Sequence, residues 1–178
     1  MQFKVGDKVM HPSLGAGRVV AVEHKEWVKG YEDYYVVHIP TKDIIVRLPT
    51  EKVDDLGIRR VMDAAVVTDV LKVLASRPRR LPEDAGQRYK HLQEKVQMAR
   101  PLQLAETVRD LNLRGQLARL GSRDTKMLER ARSFLASEMA VATAGDIAEM
   151  EQVIDEMVEV AMAKILPEEQ AASEVVAH

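Results

Sequence analysis

Apolar positions in the first fifty residues recur with the period of two that a half-buried strand requires, and turn residues interrupt them at short intervals. Residues 8–12 alternate, and Ser13-Leu14-Gly15-Ala16-Gly17 then supplies turn chemistry. Residues 18–23 (RVVAVE) form a β-branched run that ends before a turn at Val28-Lys29-Gly30. Residues 34–39 (YYVVHI) follow, then a turn at 40–42, then residues 43–48 (DIIVRL) up to Pro49. Four or five short strands at this spacing predict a small SH3-like or Tudor-like barrel over residues 1–57, with so small a core that it leans on a neighbour or a partner.

After Gly57 the period lengthens to that of a helix. Residues 58–62 read as a last strand or a linker. Asp63 is a candidate N-cap for a helix with Val67, Val70, Leu71 and Leu74 on one stripe. Pro78 and Pro82 break it. A second helix is expected over 83–98, and a third from Pro101 with Leu104, Val108 and Leu111 on its apolar side. Gly121 stops the third, and Ser122 can cap a fourth holding Met127, Ala131, Phe134 and Leu135. The fifth, from Gly145, carries Ile147, Met150, Ile154, Met157 and Ala161. The expected class is α+β in two domains, a β module over 1–57 and an all-α module over 63–166, with a flexible tail over 167–178.

Composition narrows the function. There is no cysteine, which excludes disulfides, thiol catalysis and cysteine-bound zinc. The opening MQFKVGDKV lacks the apolar core of a signal peptide, and no apolar run reaches the length of a membrane helix, so a cytoplasmic protein is expected. Gly15-Ala16-Gly17 has no third glycine and leads into a strand, so it reads as a turn. The five histidines show no i, i+4 pair, and the serines lie in no nucleophile elbow. No catalytic role, metal or cofactor is expected.

The net charge of −2 hides a strong partition. Residues 1–76 balance, 77–133 carry +7, and 134–178 carry −9. The basic stretch suits a polyanion, although opposite charges pairing within the domain would give the same count. Residues 77–95, with Arg77, Arg79, Arg80, Arg88, Lys90 and Lys95 around Tyr89, place a proline-bounded basic loop before a helix start, which suits phosphate contact. In the β module, Lys25, Trp27 and Arg47 lie on or beside strands. They are either ordinary surface residues or the neighbourhood of an edge strand that a partner extends.

FKVGDKVMHPSLGAGRVVAVE, DIIVRLP with LGIRRV, and then RYKHLQEKV, TVRDL and KMLERARSFLASEMA together resemble the CarD (CdnL) family of bacterial transcription regulators over residues 1–165. The first of these motifs also occurs in transcription-repair coupling factors, but this chain has no P-loop and its helical motifs match the stand-alone regulators. The resemblance implies a Tudor-like domain docked on the RNA polymerase β subunit through Lys25 and Arg47, and a helical domain that meets promoter DNA at the upstream edge of the transcription bubble. Ile45 is expected in the polymerase contact, and the chain is expected to be a monomer. The resemblance implies backbone contacts from Arg88 and Lys90 without base-specific reading, and Arg80 of the basic loop is expected to join them. The family's wedge tryptophan falls at Ala85, and the basic residue often found before this arginine is replaced by Gln87. Two alternatives follow: a paralogue that binds polymerase without wedge-type stabilisation of the open complex, and a module whose helical part binds a second protein.

Overall fold

Turn chemistry sets the strand breaks. Gly15 at φ +101 and Gly30 at φ +93 adopt the left-handed backbone that the turns before and after the second strand need. The computed structural model describes residues 2–165. Five strands come first: β1 (Lys8–His11), β2 (Gly15–Val28), β3 (Tyr31–Ile39), β4 (Ile44–Pro49) and β5 (Arg59–Arg60). All ladders are antiparallel, in the order β4-β3-β2-β1-β5. The long β4 is therefore one edge and the two-residue β5 the other. Residues 59–60 settle the ambiguity of the 58–62 segment in favour of a strand, pairing Arg60 with Val9 and Arg59 with Met10.

β2 runs further than its β-branched core, to Val28, because the β2–β3 ladder continues past register shifts at Val19/Ala21 and His24/Val28. Gly17 is required by close packing: a Cβ there would lie 2.5 Å from the His38 carbonyl oxygen. One face of the sheet buries Val9, Val19, Tyr35, Val37, Ile39 and Leu48 with Phe3, Val53 and Ile58.

Five helices follow: α1 (Ala64–Leu74), α2 (Ala85–Met98), α3 (Pro101–Leu117), α4 (Ser122–Thr143) and α5 (Ile147–Ala163). Asp63 caps α1 by accepting from the Val66 N–H, and Pro101 opens α3, both as the pattern predicts. Three boundaries differ. α2 begins at Ala85 because Asp84 is the cap, accepting from the Gln87 N–H. Gly121, not Ser122, occupies the cap position of α4, in extended backbone and without a side-chain cap, and α3 has already ended at Leu117. Asp146 caps α5 by accepting from Ala148 and Glu149. The expected tail over 167–178 lies outside the described residues.

The two modules share one core. Met10 and Ala16 of the sheet pack with Val70, Leu74, Leu104, Val108, Leu135 and Met139 of the helices. The contact is polar as well as apolar. The Glu138 carboxylate on α4, fully buried, accepts from Arg59 Nη2 at 2.8 Å and from the Met62 N–H at 2.9 Å. Arg59 Nη2 also donates to the Ala99 carbonyl oxygen at the end of α2. Ser137 Oγ accepts from the Ala16 N–H, and Lys8 Nζ donates to the Ala142 carbonyl oxygen. A buried carboxylate needs such partners, because desolvation without them costs several kcal/mol.

Candidate docking and nucleic-acid surfaces

Alternation along β4 sorts its side chains. Ile44, Val46 and Leu48 belong to the sheet's core, whereas Ile45 and Arg47 are exposed on the opposite face. Among the described residues β4 pairs only with β3, so its outer edge presents main-chain N–H and C=O groups beside these two side chains. Arg47 Nε donates to Glu23 Oε2 at 2.8 Å and Nη2 to Oε1 at 3.4 Å. This pair holds the Glu23 carboxyl below its ordinary pKa and raises that of Arg47. Lys25 Nζ lies 4.0 Å and Arg47 Cζ 4.9 Å from the centre of the Trp27 ring. The structure thus brings Lys25 and Arg47 into one cluster, with Ile45 one step along the same face. Trp27 sits in the middle of it, although the sequence marks it only as a residue beside a strand.

The helical candidates divide. Arg80, Ala85 and Lys90 are exposed, Ala85 in the first turn of α2. Arg88 is not exposed. Its guanidinium donates from Nε and Nη2 to Asp124 Oδ2 at 2.9 and 2.7 Å, and from Nη1 to the carbonyl oxygens of Pro82 and Glu83. Only 5% of the residue is accessible. The expectation of an Arg88 contact with the DNA backbone therefore needs correction: this arginine ties the proline-bounded loop to α4, and its fork is engaged inside the protein. A second internal pair anchors the start of the same loop. Asp110 accepts from the Arg79 N–H at 2.9 Å and from Arg109 Nε at 2.7 Å. The +7 of the middle segment is thus partly consumed internally. Arg132, for example, reaches the acidic α5 at Asp155.

Cations that the sequence reading did not single out remain on α4. Arg123, Lys126 and Arg130 recur at spacings of three and four, which puts them on one helical face. With Tyr89, Gln93 and Val96 of α2 they line a groove of about 290 Å³. Arg123 Cζ stands 5.4 Å from the Tyr89 ring centre, and Arg130 Nη2 donates to the Pro12 carbonyl oxygen at the β1–β2 turn. Their helical spacing was the available signal, masked by reading residues 122–143 for their apolar stripe alone. Among the described residues there is no group of three metal-ligating side chains, and no helix is long and apolar enough to cross a membrane.

The β module thus carries an open edge strand with clustered cations, and it is fused through a common core to helices with a basic groove. Residues 3–62 match the family model for the CarD-like/TRCF RID domain, and residues 69–155 match that for the CarD C-terminal domain. A Bacillus subtilis (strain 168) protein named as a transcription factor, YdeB, is 33% identical over 141 residues, spanning 78% of this chain and 91% of its own length. The chain belongs to the CarD family.

Proposed function

We propose that this CarD-family regulator docks on the RNA polymerase β subunit through its β module and holds promoter DNA near the upstream edge of the transcription bubble through its helices, so modulating open-complex stability. The observation that carries the reading is the open edge of β4, where Arg47 and Ile45 stand beside Lys25. A strand added to that edge gains main-chain hydrogen bonds, and the alternating side chains supply specificity. The match of residues 3–62 to a domain shared with coupling factors supports polymerase as the partner.

The second contact is assigned to Arg80, Lys90 and the α4 cations rather than to Arg88. These side chains can approach phosphates, a contact that positions a protein on DNA without reading its bases. Binding to free DNA is then weak and salt-dependent, and tethering to polymerase supplies the effective concentration that such contacts need. The regulator acts as a cytoplasmic monomer in this reading. Capture of the purified chain by the polymerase β lobe tests the anchor: Arg47→Glu is expected to abolish capture, and unchanged capture would remove the assignment.

One observation favours a variant of this reading. Ala85 is exposed at the start of α2, where a wedge would stand, and an alanine cannot fill unstacked space between bases. The protein then binds polymerase and DNA but stabilises open complexes less than a tryptophan-bearing relative. Ala85→Trp is expected to lengthen open-complex lifetime in a heparin-challenge assay; no gain would rule the wedge position out.

A further inference from the structure

Strand geometry alone keeps Lys25 and Arg47 apart. They lie on β2 and β4, two strand spacings apart across β3, and Lys25 stands four residues beyond Ala21, the β2 residue in line with Arg47 through Val36. Trp27 bridges this gap. Both cations fall within the distance of about 6 Å at which an aromatic face attracts positive charge. The indole N–H donates to Glu23 Oε2 at 3.3 Å, the same carboxylate oxygen that accepts from Arg47 Nε. The ring is therefore held at its edge while its surface orders two side chains from separate strands. Its accessibility is 48%, high for so large an apolar group that has a sheet beneath it.

The electrostatics of the cluster point to what covers it. Two cations around one ring repel each other, and Glu23 offsets one of them, so the quartet carries a net charge of +1. Glu23 takes Nε and Nη2 of Arg47, while Nη1 has no part in that pair. An acidic group arriving along β4 would find the Nη1 donors of Arg47, and Lys25 supplies the positive charge that Glu23 does not offset. Ile45, two residues from Arg47 on the same face and half exposed, would cover an apolar side chain of the same incoming segment.

We propose that Trp27 is the positioning residue of a two-cation platform, and that the platform's occupant is an acidic strand of the polymerase β subunit added to the edge of β4. This deepens the docking reading above and rests on it. Trp27 acts through Lys25 and Arg47: it fixes where their charges stand before the partner arrives, which lowers the ordering cost of binding.

The test uses the full-length chain and RNA polymerase core enzyme. Because Trp27 is the only tryptophan, 5-fluorotryptophan labelling gives a single ¹⁹F resonance, expected to shift and broaden on adding polymerase. Trp27→Ala is expected to weaken binding about tenfold, the cost of ordering two long side chains on binding at about two- to tenfold each. Trp27→Phe, which keeps a ring, should lose threefold or less. A merely structural role would leave the salt dependence of binding unchanged, whereas Trp27→Ala should flatten it, as Arg47→Ala should. The double variant Trp27→Ala/Arg47→Ala should bind no more than about twofold more weakly than the weaker single variant, because both remove one unit. Wild-type affinity for Trp27→Ala, equal losses for the Phe and Ala variants, or additive effects in the double variant would each overturn the platform. If Arg47→Glu abolishes capture while Trp27→Ala binds normally, docking stands and only the platform falls. If Arg47→Glu binds normally, the docking reading fails and takes the platform with it.

Discussion

Replacing Arg88 by alanine separates a fold-holding arginine from a DNA-gripping one. In the native chain its guanidinium makes four hydrogen bonds, two to Asp124 and one each to the carbonyl oxygens of Pro82 and Glu83. The side chains of both Arg88 and Asp124 are about nineteen-twentieths buried. Truncating one partner of such a pair leaves the other charge desolvated and unpaired, at a cost of about 3–5 kcal/mol. For a chain of this size, with a urea m-value of about 2 kcal/mol/M, the unfolding midpoint should fall by about 1.5–2.5 M. Removing the stranded charge as well should recover part of this loss. The double variant Arg88→Ala/Asp124→Ala is thus expected to be clearly less destabilised than the sum of the two single variants. Urea titration followed by far-ultraviolet circular dichroism reads all four proteins. A midpoint for Arg88→Ala within about 0.3 M of the parent, together with weakened promoter retention, would refute the reasoning and return this arginine to the DNA surface.

Other outcomes follow from the same structure. Lys90→Ala and Lys126→Ala should leave the urea midpoint unchanged while weakening promoter-complex retention, each reducing the slope of log K against log salt by about 1. Glu138→Ala should cost about 3–5 kcal/mol and expose the segment between β5 and α1 to limited proteolysis, because Arg59 and the Met62 N–H lose their shared acceptor. Burial, helped by the nearby Lys42 charge, lowers the pKa of His11 from its ordinary 6.5, and the ring Nδ1 accepts from the Ser13 N–H in its neutral form. The unfolded chain therefore takes up this proton first, so stability is full above pH 6.5 and declines as pH falls toward the lowered folded value. His11→Gln should flatten that part of the stability profile, and histidine NMR titration should place the folded pKa below 6.5.

The features that were legible in the sequence are local ones. The alternation in IIVRLP gives both the strand and the outward side of Ile45 and Arg47, since strand periodicity needs no partner to be read. Asp63 before an apolar stripe, and Pro101 at a helix start, are likewise set by backbone chemistry within one turn. Pairings across the fold were not legible. Arg88 sits in a basic run, and its true partner, Asp124, is 36 residues later on another helix. The basic run and the resemblance therefore both point Arg88 at the DNA backbone, and neither carries any sign of Asp124. Arg59 and Glu138 are 79 residues apart, and nothing near Glu138 marks it as buried, because a carboxylate on a helix is ordinarily a surface group. Trp27 is similar: its meaning depends on Arg47, twenty residues and two strands away. Ser122 failed for a different reason. A good capping residue one position beyond a glycine loses to it when the chain enters the helix at the glycine.

The Glu138 junction bears on how such a protein can be rebuilt. The family divides near residues 62–69, and a designer would make a hybrid by joining one relative's β module to another's helices there. That seam cuts Arg59 and Met62 from the carboxylate they serve, and separates Met10 and Ala16 from the helical core. A hybrid works only when the incoming β module brings an arginine at the equivalent of 59, or the incoming α4 replaces Glu138 with an apolar side chain of similar volume. The transferable unit is the whole chain with its junction, and the two surfaces it presents are inherited together.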